Sequence, residues 1–430
     1  AQAAPPLVVV RDAEIETMLA GFAKPLFRTA GVDASLMRIG VVRDPGLNAF
    51  VTTGNRMFLN SGIIQQALSA LEVAGAMAHE TGHIAQGHIS RLPDMAYQAM
   101  LETIGSLLIG AAAGVASRDA SVGAGAAMGG QSMAQRRFLG FTRTQEEAAD
   151  SAALGYLDRL GWSAKGLLAL FDKLDQQEAL VLNRRDPYLL THPMSHERFE
   201  RVKRHVEAKD GGAGNRPSAA ADAFEPGFRL ARAKLDGFLL APTTVMRMYP
   251  GTDPRPEARY ANAVVHHRMG HRSNALGALE SLIREAPASP WFHEMRGQVL
   301  LESGRPAEAV GSYRTAAKLA PDQALIRQGL GHALLETGDA ARIREAVPHL
   351  RAALAQGRDD PGAWHLLGLA QGRLGDLGEA NLALAEEAML YNDLPVAQRF
   401  AKMAADALPG GPSKLRALDI VNAMKRENRP

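Results

Sequence analysis

Apolar side chains recur at helical spacing along most of this chain, which predicts a mainly α protein. Residues 11–30 read as one amphipathic helix, with Ile15, Leu19 and Phe22 on its apolar face. A second helix is predicted from residues 63–78, which are apolar and rich in good helix formers, and it continues into the polar residues that follow.

A small antiparallel sheet is predicted between these two helices. Residues 36–42 and 48–52 alternate apolar and polar positions, turn-forming residues separate them, and a third short run follows. The second run begins with Asn48, Ala49 and Phe50. We expect these three residues to form an edge strand beside the second helix, where an extended peptide could bind by main-chain pairing.

A period of 34 residues organises the C-terminal half, where Ala275 and Pro287 recur as Ala309 and Pro321. Glycines recur at the matching positions of successive units: Gly297, Gly331 and Gly368 inside helices, and Gly304, Gly338 and Gly375 at turns. This pattern is typical of tetratricopeptide repeats, which stack helix pairs into an α-helical solenoid. Such a solenoid has a concave surface suited to binding helices or extended peptides.

The second helix carries the pattern H-E-x-x-H at His79, Glu80 and His83. Residues four apart on a helix face the same way, so both imidazoles can bind one Zn²⁺. Glu80 points elsewhere and is predicted to be a general base that takes a proton from the attacking water and passes it to the leaving amine. The chain has no cysteine, so a zinc site must use histidine and carboxylate.

A third protein ligand is expected from a later helix. Glu146 and Asp150 lie four residues apart in an alanine-rich segment, on one face of a predicted helix. Glu146 is the predicted ligand, and Asp150 is predicted to orient a ligand histidine from behind. Glu147 competes for the ligand role, but it lies about 100° round the helix, so Glu146 is favoured.

His88 is predicted to be structural or to end the second helix. It follows His83 by five residues. Five residues correspond to about 500° of helix, so its side chain is expected to point away from the face that carries His79 and His83.

Length and composition predict more than one domain. The chain has 430 residues, of which 46% are hydrophobic, and its net charge of +2 gives no electrostatic basis for binding nucleic acid. A segment rich in Gly, Ala and Pro is assigned as a linker at residues 209–226. The assignment places a zinc metallopeptidase domain at residues 1–208 and a repeat domain at residues 227–430.

Two further segments bear on location. The apolar part of residues 100–130 is shorter than the ~20 residues that a transmembrane span needs. A lid, a contact with a membrane surface and a buried helical hairpin are all open interpretations of this segment. The chain begins with Ala1 rather than Met, which favours an exported protein whose signal peptide has been removed.

The order of these motifs resembles a known family. H-E-x-x-H followed by E-x-x-A-D, with Asn48-Ala49-Phe50 upstream, is similar to the gluzincin metallopeptidases related to HtpX, and most of all to their periplasmic BepA-like branch with tetratricopeptide repeats. The resemblance implies an α+β zincin-like domain with its zinc ligands at His79, His83 and Glu146 and its catalytic base at Glu80. It also implies misassembled outer-membrane proteins as substrates and docking of the repeats on the barrel-assembly machinery.

The resemblance extends to the segment around His192 and Arg198. It implies that His192, which precedes Pro193, approaches the zinc as an additional ligand and holds the resting enzyme inactive. It implies that Arg198 stabilises the oxyanion. The alternative for His192 is a loop residue that caps the helix that follows it.

Two functions from different classes therefore compete. One is a periplasmic zinc endopeptidase. The other is a repeat-based chaperone or adaptor for outer-membrane protein assembly with latent proteolysis, which the repeats and the His192 block both allow. A membrane-embedded prenyl-protein protease is excluded because the sequence has no spanning segment.

Overall fold

The computed structural model describes residues 8–52, 56–88, 143–180, 192, 196–210, 219–357 and 360–427. The apolar segment at residues 100–130 lies outside these ranges. Within them, no helix combines the length and the apolar character needed to cross a membrane. The chain divides into two compact units, Ala1–Arg11 with Ile15–Leu235 and Asp12–Glu14 with Asp236–Pro430.

A four-stranded sheet lies near the N-terminus. Strand β1 (Val9–Val10) precedes helix α1 (Ala13–Ala30), and β2 (Arg38–Val42), β3 (Ala49–Thr52) and β4 (Arg56–Asn60) follow it. The spatial order of the strands is β1-β2-β4-β3. The pattern of apolar positions thus predicted both the helix and the strands.

The sheet is mixed, so the expectation of a purely antiparallel sheet is wrong. β4 pairs with β3 antiparallel but with β2 parallel, Val42 lying opposite Asn60. The cause is the loop between β2 and β3, which crosses the end of β4 and packs on the start of helix α2 (Ser61–Gln66). There the amide of Gly62 donates to the Asp44 carbonyl, and a Cβ on Gly62 would lie 2.2 Å from the Pro45 carbonyl oxygen.

Helix α3 (Ala70–Ala85) is buried over most of its length, and two helices pack closely on it: α4, residues 143–160, and α5 (Lys165–Leu180). Glycines permit the close approach. A Cβ on Gly75 would lie 2.7 Å from the Leu167 nitrogen of α5, and one on Gly82 would lie 2.8 Å from the Ala149 carbonyl oxygen of α4. Gly82 therefore sets the spacing between α3 and α4.

Helix α6 (His196–Asp210) and the part of α7 (Ala219–Leu239) up to Leu235 complete the first unit. α7 includes residues 219–226, which the sequence assigns to a linker, and residues 211–218 lie outside the described part. The start of α7 packs by its side chains, because the ring of Phe224 lies 4.9 Å from that of Phe22 and 5.4 Å from that of Trp162. The predicted domain boundaries stay a prediction.

The second unit is built from helix pairs, as the 34-residue period predicts. Its helices are α8 (Pro242–Met248), α9 (Pro256–Arg268), α10 (Arg272–Glu285), α11 (Pro290–Glu302), α12 (Pro306–Leu319), α13 (Ala324–Glu336), α14 (Ala340–Gln356), α15 (Pro361–Arg373), α16 (Leu377–Leu390), α17 (Leu394–Ala407) and α18 (Pro412–Glu427). The mainly α fold with a helical solenoid is confirmed.

The recurring glycines have distinct roles in this solenoid. Gly297 lies inside α11, where a Cβ would meet the Tyr313 ring of α12 at 2.8 Å. Gly304 lies in the turn that follows and has a φ of 73°, a left-handed conformation that favours glycine. One glycine of each repeat thus permits close helix packing and the other permits the turn.

Candidate metal centre

Helix α3 presents His79, Glu80 and His83 to the interior of the first unit. The three side chains are buried, with relative exposures of 1%, 1% and 7%. Nε2 of His79 and Nε2 of His83 lie 3.1 Å apart, as expected for residues one turn apart on one helical face. Burying three adjacent polar side chains inside a protein is costly unless each has a partner.

Helix α4 supplies those partners. The carboxylate of Glu146 lies between the two imidazoles, with Oε2 at 3.3 Å from His79 Nε2 and Oε1 at 3.2 Å from His83 Nε2. Nδ1 of His192 lies 3.0 Å from the same Oε1. One ligand atom from each of these four residues lies within 4.8 Å of the others. Three imidazoles and one carboxylate therefore converge on one point.

Asp150, one turn further along α4, lies behind His79. Its Oδ1 is 2.9 Å from His79 Nδ1, and the residue is fully buried. A carboxylate on Nδ1 fixes the ring so that Nε2 faces the cluster. Glu147 points elsewhere, is 39% exposed and pairs with Arg201, so the geometry favours Glu146 as the ligand.

Glu80 lies at the edge of the cluster with unused hydrogen-bonding capacity. Its Oε1 is buried and has no hydrogen-bond partner among the residues that the structure describes. The nearest cation candidate is Nε2 of His192 at 3.6 Å. Burial raises the pKa of the Glu80 carboxyl above its ordinary value.

The electrostatics of the cluster favour a cation. Burial alone lowers the pKa of His79, but the carboxylates of Asp150 and Glu146 outweigh burial and raise that pKa to about 10. Burial raises the pKa of Glu146, but hydrogen bonds from His192, His79 and His83 outweigh it and hold that pKa far below its usual range. The carboxylates that stabilise a proton on His79 would also stabilise a divalent cation at the same place. Imidazole and carboxylate donors together suit zinc, so the residues fit that ion.

Arg198 lies against the two carboxylates of α4. Its Nε and Nη2 donate to Asp150 at 2.7 and 2.9 Å, and its Nη1 lies 3.0 Å from Glu146 Oε2. The guanidinium also lies over the ring of Phe171, and the residue is 1% exposed. All three nitrogens thus contact the carboxylates behind and beside the cluster. These contacts suit a positioning role, and the oxyanion role stays a prediction.

The predicted orientation of His88 is wrong. Its side chain is buried, and its Nδ1 lies 2.9 Å from Nδ1 of His83. His88 does not continue the periodicity of α3, because that helix ends at Ala85 and Gly87 adopts a left-handed φ of 65°. The glycine before His88 was the available signal, since a left-handed glycine commonly ends a helix.

Strand β3 lies next to α3, and β4 covers only one of its edges. The Asn60 amide donates to the Asn48 carbonyl, so the hydrogen-bonded positions on β3 are every second residue from Asn48. The main-chain groups of Ala49 and Val51 therefore point away from β4. Within the described ranges, no other strand pairs with that edge.

Comparisons with known proteins agree with this geometry. Residues 10–206 match peptidase family M48, and residues 257–388 match a tetratricopeptide-repeat family. The beta-barrel assembly-enhancing protease of Escherichia coli (strain K12) is 23% identical over 354 residues, which cover 80% of this chain and 69% of that protein. The protease of the same name from Yersinia pestis is 23% identical over 82% of this chain and 71% of its own. Metalloprotease LoiP of E. coli (strain K12) is 27% identical over 38% of this chain and 60% of its own.

Proposed function

We propose that this chain is a zinc-dependent endopeptidase, because residues 10–206 match peptidase family M48 and residues 257–388 match a tetratricopeptide-repeat family. We propose misfolded or stalled outer-membrane and periplasmic proteins as its substrates, and the periplasm as its location. The observation that carries the proposal is the convergence of His79, His83 and Glu146 beside the buried carboxylate of Glu80.

His79, His83 and Glu146 would hold the zinc ion, with Asp150 orienting His79. When bound, the ion supplies Lewis acidity, which polarises the scissile carbonyl and makes water a stronger nucleophile at neutral pH. Arg198 keeps the carboxylates of Glu146 and Asp150 in place by contacting both. The protein's contribution is thus a set of pre-oriented donors that need little rearrangement during turnover.

Glu80 is the proposed general base. Its Oε1, which accepts no hydrogen bond from the described residues, can accept a proton from the attacking water and return that proton to the leaving amine. Burial raises the pKa of its carboxyl above the ordinary value, the direction that makes a carboxylate a stronger base. A substrate peptide would pair with the outward main-chain groups of Ala49 and Val51 on β3. A peptide inhibitor bound away from residues 48–52 would contradict that placement.

His192 is the proposed autoinhibitory switch. Its Nδ1 reaches Glu146, and its ring lies 5.3 Å from that of His79 and 5.1 Å from that of His83, so it occupies a fourth side of the cluster. Catalytic zinc needs one position open to water or substrate. A fourth protein ligand would fill that position until it is displaced.

We expect His192→Ala to increase proteolysis of unfolded protein, because the variant opens the fourth side while His79, His83 and Glu146 remain. The measurement is the initial rate of casein degradation at equal zinc content. The control is His293→Ala, which changes a histidine of the second unit that contacts the Pro287 carbonyl. A His192→Ala protein that keeps its zinc but is inactive would argue for a catalytic role of His192 instead.

The names of the beta-barrel assembly-enhancing proteases suggest a partner for the repeats. We propose that the solenoid of the second unit docks on the outer-membrane barrel-assembly machinery. When the protein is added to detergent extracts and recovered, that assembly complex should be recovered with it. Failure of the two to associate at micromolar concentrations would remove the proposed docking without affecting the peptidase.

Casein degradation with and without a metal chelator tests the proposed activity. We expect degradation by the zinc-loaded protein, loss with chelator and recovery when zinc is added back. The repeats and the blocking position of His192 also favour a second candidate, a periplasmic adaptor or chaperone with latent proteolysis. Two results together would favour that second function. The protein would suppress casein aggregation equally well with and without chelator, and neither it nor its His192→Ala variant would cleave casein.

A further inference from the structure

The two histidines of α3 each have a partner on the nitrogen that faces away from the cluster. His79 has Asp150 at 2.9 Å from its Nδ1. His83 has His88 at the same distance from its own Nδ1. Both rings direct Nε2 toward Glu146. Partners of this kind fix the ring orientation and the tautomer of a metal-binding histidine.

The proton on His83 can be assigned from its two neighbours. If Nε2 gives its lone pair to a cation, the ring proton is on Nδ1, and that nitrogen becomes a donor. Nδ1 of His88 must then accept, with its own proton on Nε2. The opposite arrangement, with His88 as the donor, would place the His83 proton on Nε2, where it would point at the cluster and block the lone pair.

The backbone holds His88 in this position. α3 ends at Ala85, the Gly87 amide donates to the Ile84 carbonyl at 3.1 Å, and the φ of Gly87 is 65°. His88 is 7% exposed, and its ring lies 5.0 Å from that of His83 with 68° between the ring planes. The contact is therefore edge-on, which suits a hydrogen bond between ring nitrogens rather than stacking.

We propose that His88 is a positioning residue of the metal centre. Its Nδ1 accepts a hydrogen bond from Nδ1–H of His83, which keeps Nε2 of His83 deprotonated and directed at the cluster. His88 thus does for His83 what Asp150 does for His79, with a neutral acceptor instead of a charged one. The inference rests on the proposed zinc site.

The test measures zinc affinity of the full-length, metal-depleted protein by competition with a chromogenic chelator. His88→Ala removes the acceptor, His88→Leu removes it while retaining bulk, and His88→Asn retains an amide oxygen near the place of Nδ1. We expect the Ala and Leu variants to bind zinc about 10- to 100-fold more weakly, the usual effect of losing such a partner. The Asn variant and a His293→Ala control should bind almost as tightly as the unchanged protein.

Cobalt substitution supplies a readout that a purely structural role would not change. With Co²⁺ in the site, His88→Leu should alter the visible absorption bands that report ligand geometry, and His88→Asn should not. Equal zinc affinity of the unchanged, Ala and Leu proteins would overturn the inference and leave the proposed function intact. An Asn variant as weak as the Leu variant would also overturn it, because packing would then be the cause. If the protein without any substitution bound no zinc, the inference and the proposed function would both be overturned.

Discussion

Replacing Glu80 by Gln is expected to reduce peptide hydrolysis about 100- to 10,000-fold, the usual contribution of a general base. The substitution keeps the size and shape of the side chain but removes its ability to accept a proton. Among the described residues, Oε1 of Glu80 has no hydrogen-bond partner and lies 3.6 Å from Nε2 of His192, so the change removes a long electrostatic contact but no hydrogen bond of that atom. The fold and the zinc content should therefore be preserved, and the loss should appear in kcat rather than in KM.

The matched control is Glu147→Gln, which changes an exposed glutamate that pairs with Arg201 outside the cluster. That variant should retain full activity. Zinc content is measured for both variants, so that a loss of metal is not mistaken for a loss of the base. Normal turnover by the Glu80→Gln protein would remove Glu80 from the mechanism.

Replacing Arg198 by Ala is expected to lower the free energy of unfolding of the first unit by about 3–5 kcal/mol, the usual result of removing one partner from a buried ion pair. The change would leave Asp150 buried without its two guanidinium hydrogen bonds and would remove the contact with Glu146. Asp150 and Arg198 are 0% and 1% exposed, so the pair is shielded from bulk water. Arg198→Lys should recover only part of the loss, because an ammonium cannot form the two parallel bonds.

Arg201→Ala is the control for this prediction. Arg201 lies on α6, as Arg198 does, and pairs with a glutamate of α4, but the two partners are 31% and 39% exposed, so the expected cost is below about 1 kcal/mol. Unfolding by urea is followed in the metal-depleted protein through Trp162, in a background with Trp291 and Trp364 changed to Phe. If Arg198→Ala and Arg201→Ala lowered the free energy of unfolding equally, the ion pair of Arg198 would not be effectively buried.

The local geometry of the centre could be predicted from the sequence. His79 and His83 are four residues apart, as are Glu146 and Asp150, and helical periodicity alone places each pair on one face. The folded chain brings the two faces together. The repeats were predictable for the same reason, since the glycines inside helices depend on contacts within a helix pair and the turn glycines on their own backbone conformation.

Contacts between distant segments could not be predicted in this way. Arg198 donates to Asp150 across 48 residues, and no pattern in the sequence distinguishes that pairing from an oxyanion role. The parallel pairing of β2 with β4 depends on how the loop near Asp44 packs on α2. His88 was misplaced because one glycine conformation ended the helix earlier than its periodicity implied.

The donors of the candidate metal centre come from three segments that are far apart along the chain: two are on α3, one is on α4, and the fourth is His192. An unfolded chain cannot bring them together, so a cation would bind the folded protein almost exclusively and would stabilise it by mass action. The lifetime of this protein in its compartment would then depend on the local supply of zinc. Copies that fail to acquire the ion would be both inactive and the first to be degraded.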